Sequence, residues 1–423
     1  MAEICTSSPP PNFLIVNPKK GKKRDTVKYM VGKNVKSGMA FLDSSEEGLK
    51  GGLAVDHRWI LLVSIIICRI LNLIQKPLRY IGLFTDFFLN LLSQNGGFSG
   101  ILHNFFHENQ KANNTQVFIC CDKPKDANLI VVSFRGTEPF NAQDWSTDFD
   151  FSWYEIPKVG KLHVGFLEAL SLGNRSDATT FQTHLRKKHT DAAAAAAAAE
   201  ANMMDWPKKS AYYVVAWKLK KLLKIHKNAK FVVTGHSLGG ALAILFPSVL
   251  VIQEENEMLQ RLLNVYTFGQ PRIGDSKLGT FIEAHLNYPV TKYFRVVYCN
   301  DMVPRVPFDD KVFAFKHFGT CLYYDSHYFG KFMDEEPNRN FFGLKHIIPM
   351  RMNAIWEVLR SLAIRYTHGP DYEESWFCTL FRALGLVLPG IAAHSPVDYI
   401  NSVRLGRERV APLTSLKSFV QKI

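Results

Sequence analysis

The segment Phe231-Val-Val-Thr-Gly-His-Ser-Leu-Gly-Gly-Ala-Leu-Ala243 constrains the fold more than any other part of the chain. A β-branched run leads in and a Gly/Ala-rich, helix-forming run leads out. Between them stands Gly235-His236-Ser237-Leu238-Gly239, a G-x-S-x-G set in the strand–turn–helix that a nucleophile elbow requires. Such a turn holds the serine in a strained backbone, so the residues two before and two after it must be small. Gly235 and Gly239 supply that clearance. The bland alternative is a glycine-rich turn without chemistry.

The flanking sequence has the matching texture. Short β-rich runs are expected at Gln116 to Cys120, Leu129 to Phe134, Phe231 to Thr234, Val265 to Phe268 and Phe294 to Tyr298. Helical stretches are expected from Ser210 to His226 and from Gly240 to Ile252, the latter kinked at Pro247. Strands alternating with helices predict an α/β fold with a mostly parallel central sheet. With 47% hydrophobic residues over 423 positions, the chain can bury a large core, which excludes disorder and a small disulfide scaffold. Seven cysteines, with no C-x-x-C pair and no nearby His cluster, point to neither a zinc site nor a disulfide framework, and a reducing compartment is the simpler reading.

The net charge of +13 favours either a solvated basic surface or anionic partners. No nucleic-acid-binding module is present in the pattern, so a lipid surface is the anionic partner to expect rather than nucleic acid. The N-terminal part agrees. Residues 1–56 are polar and basic, with Lys19-Lys-Gly-Lys-Lys-Arg24 as the main charge run. Residues 57–95 hold two apolar runs, Trp59 to Cys68 continuing to Ile74, and Ile81 to Leu92, separated by Lys76-Pro77. Neither reaches the ~20 residues of a bilayer span. A pair of helices that dips into or lies on one leaflet is expected, against a buried helix pair and against a single span from Trp59 to Leu78 that would have to snorkel Arg69. The proline-rich start, Pro9-Pro-Pro11, is no secretory signal.

A main domain over 115–405 follows, then a tail over 406–423. Within the domain, 171–207 reads as a surface insertion that carries eight alanines, Ala192 to Ala199.

Ser237 needs a base and an orienting acid, which in this kind of fold follow in the order Ser, acid, His on loops after strands. Asp301 stands where the run Phe294 to Tyr298 ends, the end of the sheet at which active sites collect; Asp275, Asp309 and Asp310 are its rivals. Five histidines follow: His317, His327, His346, His368 and His394. Spacing does not choose among them, although His394 lies in a Pro389-Gly390 loop of a suitable kind. His236, beside the nucleophile, points the wrong way to be the base.

Five motifs together resemble the class 3 (fungal-type) lipases of the α/β-hydrolase fold. They are Phe134-Arg-Gly-Thr137, His163-Val-Gly-Phe166, Thr234-Gly-His-Ser-Leu-Gly-Gly-Ala-Leu-Ala243, Tyr266-Thr-Phe-Gly-Gln-Pro-Arg272 and Asn300-Asp-Met-Val-Pro-Arg305. Over 115–405 the chain is similar to the plant oil-body triacylglycerol lipases. The resemblance implies Ser237 as nucleophile, Asp301 as acid and His394 as base, the last from a P-G…H-x-x-x-x-Y context. It implies Thr137 and the Leu238 N–H as oxyanion donors. It also implies a lid over Glu138 to Trp153, with Phe140, Trp145 and Phe149 among its apolar residues. The expected activity is hydrolysis of long-chain acylglycerols on the cytosolic face of a lipid droplet, without metal or cofactor, the apolar N-terminal segment holding the enzyme there. A phospholipase A1 or galactolipase with the same triad, and a catalytically silent membrane-surface scaffold, are the rival readings.

Overall fold

The computed structural model describes residues 12–17, 20, 25, 28, 41–45, 62–77, 80, 115–136, 147, 149–185, 210–287, 290–309, 315–339, 341, 344–372 and 374–408. The lid candidates Phe140 and Trp145, the oxyanion candidate Thr137, the poly-alanine run, Asp310 and the second apolar run of the N-terminal segment lie outside them. The chain divides into two compact units. One comprises 1–117, 137–225 and 249–256; the other comprises 118–136, 226–248 and 257–423.

In the first unit, β1 (Asn12–Val16) pairs antiparallel with both β2 (Leu42–Ser44) and β5 (Trp153–Ile156), and β5 pairs antiparallel with β6 (Gly160–His163). The polar N-terminal region thus contributes strands that its composition did not announce. Arg175 ties this sheet together: its guanidinium donates to Glu168 at 2.6 Å, to Asp150 at 3.0 Å and to the Val16 carbonyl at 3.1 Å. The His163 Nε2–H donates to the Asp150 carbonyl oxygen at 2.7 Å, and its ring stacks on Phe166 in α2 (Val164–Ala169). Residues 62–77 form one helix, α1, which takes in Lys76 and Pro77; the run from Ile81 to Leu92, to which the hinge expected at Pro77 would lead, lies outside the described residues. It buries Leu62, Ile65 and Cys68 and turns Val63, Ile66, Ile70 and Leu73 outward. Among the described residues, no helix is long and apolar enough to cross a membrane. α3 (Thr179–Leu185) and α4 (Ala211–Ile225) complete the unit, α4 burying Tyr212, Val215, Leu219 and Leu223 along one side, as an amphipathic helix must.

The second unit is built on an eight-stranded sheet in the order β14-β13-β12-β10-β8-β7-β4-β3. Its strands are β3 (Val117–Cys121), β4 (Leu129–Phe134), β7 (Lys230–His236), β8 (Leu262–Phe268), β10 (Tyr293–Tyr298), β12 (Thr320–Tyr324), β13 (Phe329–Met333) and β14 (Arg407–Glu408). β4, β7, β8, β10 and β12 are parallel neighbours, while β13 runs antiparallel to β12. This is the mostly parallel α/β sheet expected from the sequence, each expected strand lying within one or a few residues of its predicted bounds. Parallel neighbours need crossovers, supplied by α5 (Leu238–Ile252) with α6 (Asn256–Arg261) between β7 and β8, and by α7 (Ser276–Leu286) between β8 and β10. The register places Phe134 beside Gly235, His236 beside Phe268, and Phe268 beside Val296. The C-terminal ends of four strands are thereby level, so the loops that follow them share one rim.

α5 is buried along its whole length, as a helix apolar all round should be. Pro247 does not end it, and Ser248 Oγ donates back to the Ile244 carbonyl at 2.8 Å. The smaller β9 (Gly274–Asp275) pairs antiparallel with β11 (Phe315–Lys316). Four α-helices follow β13 among the described residues: α8 (Ile347–His368), α9 (Trp376–Gly385), α10 (Pro389–Ala392) and α11 (Pro396–Leu405). A cluster of Tyr298, Cys299, Tyr324, Tyr328, Ala393 and Tyr399 seats α10 and α11 on β10 and β12.

Two buried groups make the fold acid-sensitive. Burial pushes the His163 imidazole down to about 4 despite the facing Asp150. Burial alone would raise the Glu336 carboxyl, but His317, Arg295 and Arg272 outweigh it and hold the carboxyl at about 2. His317 is itself kept neutral by burial near neutrality, so there the two guanidinium groups carry the effect. The unfolded chain therefore takes up protons that the folded one refuses. His163 contributes stability in full above its unfolded value near 6.5 and loses it as the pH falls to about 4. Glu336 contributes in full above about 4.5 and loses it toward about 2. The urea midpoint is expected to fall steadily from pH 7 to pH 4, the His163 part being on the order of 3 kcal/mol. A midpoint flat across that range would contradict this account.

Candidate active site

Ser237 sits between the last residue of β7 and the first of α5 with φ of +58°, the left-handed region expected for an elbow. The small neighbours are needed for the reason the motif suggested. A Cβ on Gly235 would lie 2.2 Å from the Gly239 carbonyl oxygen, and one on Gly239 would lie 2.2 Å from the Phe134 carbonyl oxygen. The Ser237 N–H donates to the Phe268 carbonyl at 2.9 Å, which pins the turn to the end of β8. Leu238 opens α5, so its N–H belongs to the first-turn amides that have no acceptor within the helix. Gly136, the residue before Thr137, runs against this turn: a Cβ there would be 2.6 Å from the His236 carbonyl oxygen.

Of the five candidate histidines, one meets the serine. His394 Nε2 is 2.7 Å from Ser237 Oγ, and its Nδ1 is 2.7 Å from Asp301 Oδ2. All three side chains are buried. With Asp301 as acceptor, Nδ1 carries the proton and Nε2 is left to accept from the serine hydroxyl. The other histidines are engaged elsewhere: the His317 Nε2–H donates to the Pro304 carbonyl at 2.7 Å, His327 stacks on Trp356, His346 precedes α8, and His368 Nδ1 lies 2.8 Å from Thr367 Oγ1. The rival acids are also placed apart. Asp275 caps α7 by accepting from the Leu278 N–H at 2.9 Å, and Asp309 pairs with Lys316 at 2.8 Å. His236 turns its ring onto that of His394, with centroids 4.6 Å apart, and burial followed by the adjacent His394 keeps it far below its ordinary value and so uncharged. It is a wall for the base rather than a base.

Several residues of this arrangement went unassigned in the sequence. Tyr399 Oη donates to Asp301 Oδ2 and accepts from the Tyr298 N–H at 3.3 Å; Asp301 Oδ1 takes the Val303 N–H at 2.9 Å. The buried guanidinium of Arg305 donates to the carbonyls of Asp301, Cys299 (3.0 Å), Pro337 (2.7 Å) and Asn338 (2.8 Å), and so fixes the Asp301 loop. The motif strings contain Tyr399 and Arg305, but only the fold shows what they touch. Gly269 has φ of +57°, and a Cβ on it would come within 3.0 Å of Asp301 Oδ2, Tyr399 Oη and His394 Cε1 at once. Gly269→Ala is expected to lower kcat on a soluble ester about 100-fold with little change in KM, because even a small displacement of reacting groups is costly. Unchanged kcat in that variant would mean the site has room that this geometry denies it.

Beneath the His394 segment lies a buried charged cluster. Asp398 accepts from Arg360 at 2.8 Å, from Arg382 at 2.9 Å through each of its oxygens, and from Tyr328 at 3.2 Å. Arg382 also donates to Glu374 at 2.6 and 2.7 Å. Burial, then the nearby Asp398, raises Glu357 to about 7, and its Oε1 accepts from Tyr298 Oη at 3.1 Å. Charge thus ties α8, α9 and α11 to one another through Asp398.

Of the residues expected in a lid, Phe149 is half-buried in a turn, while Phe151 and Trp153 are buried and Trp153 opens β5. No group of residues suited to a metal ion occurs among the described residues.

A parallel α/β sheet with a Ser–His–Asp chain at its C-terminal rim defines a hydrolase of the nucleophile-elbow kind. Residues 131–311 match the family model described as lipase (class 3). The chain is 42% identical to triacylglycerol lipase OBL1 of Nicotiana tabacum, over 95% of this chain and 96% of that one. It is 43% identical to triacylglycerol lipase OBL1 of Arabidopsis thaliana, over 96% and 97%. Among solved structures, a Rhizomucor miehei triacylglyceride lipase is 24% identical, with a TM-score of 0.34, over 51% of this chain and 63% of that one. The protein belongs to the class 3 lipase family and is a lipase.

Proposed function

We propose that the protein hydrolyses triacylglycerols at the surface of a lipid droplet, with Ser237 as nucleophile, His394 as general base and acid, and Asp301 as the group that orients the imidazole. The observation that carries this reading is the unbroken chain from Ser237 Oγ through both nitrogens of His394 to Asp301, each link 2.7 Å. Substrate class follows from the relatives that are named for triacylglycerol and match over nearly the whole chain.

His394 Nε2 takes the hydroxyl proton as Ser237 Oγ attacks the ester carbonyl, and Asp301 stabilises the imidazolium that forms. Negative charge gathers on the former carbonyl oxygen, where the Leu238 N–H and Thr137 are proposed to donate; one such donor is worth about 3 kcal/mol. Collapse of the tetrahedral intermediate passes the proton from His394 to the leaving glyceride oxygen and leaves an acyl-Ser237. Water, deprotonated by His394, then releases the fatty acid. The droplet reading is supported by the outward apolar stripe Val63, Ile66, Ile70 and Leu73 of α1. It is supported also by the basic run Lys19 to Arg24, which suits anionic headgroups.

Fatty-acid release from emulsified triolein and from phosphatidylcholine vesicles tests the reading, with Ser237→Ala as the paired variant. Triolein hydrolysis that disappears in Ser237→Ala is expected. Release from phosphatidylcholine alone would move the enzyme to a phospholipase A1, and equal release by the variant would remove Ser237 from the mechanism.

A further inference from the structure

α8 turns its longest apolar stripe outward and buries charge. Its outward side carries Ile348, Met352, Ile355, Leu359, Leu362 and Tyr366, at spacings of four, three, four, three and four residues, which is one continuous stripe on a helix. These residues are 76%, 60%, 45%, 55%, 60% and 86% exposed. Its inward side carries Glu357, Arg360 and Ser361 beside Met350, Ala354 and Ile364, all buried. α9 repeats the inversion, with Trp376, Leu380 and Leu384 at 58%, 59% and 48% exposure and Arg382 at 2%. Val387 and Leu388 prolong the exposed run to the start of α10. Because Arg360 and Arg382 both reach the same carboxylate, Asp398, the faces opposite them both point away from it, outward. A helix designed only for water would carry the reverse pattern.

We propose that the outer faces of α8 and α9 form a docking surface for phospholipid-coated oil, a second contact distinct from α1 and one that delivers the ester to the His394 segment. This rests on the lipase reading above. Two observations favour a lipid surface as the occupant. Lys345 and Arg351 are exposed on and beside α8, matching anionic headgroups, whereas a second copy of the same face would set cations against cations. The apolar run also ends at Leu388, directly before the short helix α10 that precedes His394, so a surface bound there lies next to the reacting groups.

The test uses the full chain and oil droplets of triolein coated with phosphatidylcholine and phosphatidylserine at 4:1. The triple variant Ile348→Gln, Leu359→Gln, Leu362→Gln removes three exposed side chains without opening a cavity. Phe118→Gln with Val290→Gln, two other exposed apolar residues of the same unit, is the control. Flotation of the triple variant is expected to fall by at least about 10-fold, given the apolar area lost. Triolein hydrolysis should fall with it, while hydrolysis of soluble p-nitrophenyl butyrate and the control variant's flotation stay at the wild-type level. On the wild-type protein, droplets should slow hydrogen–deuterium exchange across 345–388. Unchanged flotation together with unprotected 345–388 would overturn the proposal. So would a dimer, measured by sedimentation velocity, that the triple variant dissociates while droplet binding stays intact. If droplets bind through this face but triolein is not cleaved, the docking surface stands and the substrate assignment fails.

Discussion

Asp301→Asn is expected to lower turnover of any ester about 10⁴-fold while leaving the fold intact. The reason is the tautomer. A carboxylate at 2.7 Å can only accept from His394 Nδ1, so Nε2 is free to take the Ser237 proton. An amide in the same place can offer its N–H₂ to Nδ1, which moves the imidazole proton to Nε2 and turns the base away from its task. The Val303 N–H would still donate to the amide oxygen, and the second N–H of the amide would donate to Tyr399 Oη in place of accepting from it, so the loss would appear chiefly in kcat. A denaturation midpoint within experimental error of wild type, with turnover reduced by orders of magnitude, is the expected pair of results. Turnover within tenfold of wild type would show that another acid serves His394.

Asp398→Asn is expected to destabilise the second unit by about 3–5 kcal/mol, the cost of leaving buried charge without its partner. Arg360 and Arg382 both donate to this carboxylate, and both are buried. The damage should spread to α8, α9 and α11, since each contributes a member of the cluster. Asp398→Asn therefore separates from Asp301→Asn by its signature: a lower urea midpoint and early loss of helix signal, with the surviving folded protein retaining much of its kcat. An unchanged midpoint would mean the cluster contributes nothing to holding these helices.

How much of this was legible in advance differs from residue to residue. The elbow could be read because it is local: a β-branched strand, a turn that tolerates only glycine at two places, and a helix that must follow, all within thirteen consecutive residues. The parallel strands β4, β7, β8 and β10 were legible for the same reason, each being a short apolar run with its own punctuation, whereas β12 was not among the expected runs. Asp301 was legible as the residue after a strand. His394 was singled out from four other histidines only by its likeness to a family motif, because the selection depends on residues 157 positions apart meeting across the sheet rim. Gly269 and Arg305 have no local signal of their role; each matters through carbonyls and side chains brought in by other strands.

The clearest divide falls at the C-terminal helices. Sequence alone determined that α8 has an apolar stripe, since spacing on a helix is a local property. A stripe read that way would be assigned to the core, which is what apolar residues on a helix usually meet. Only the tertiary structure decided that the stripe faces outward. Asp398 gathers Arg360 and Arg382 on the inner side, and buried charges with matched partners hold the charged faces in, leaving the apolar ones to solvent. Local order follows from neighbours along the chain, and direction follows from partners that the chain meets only when folded.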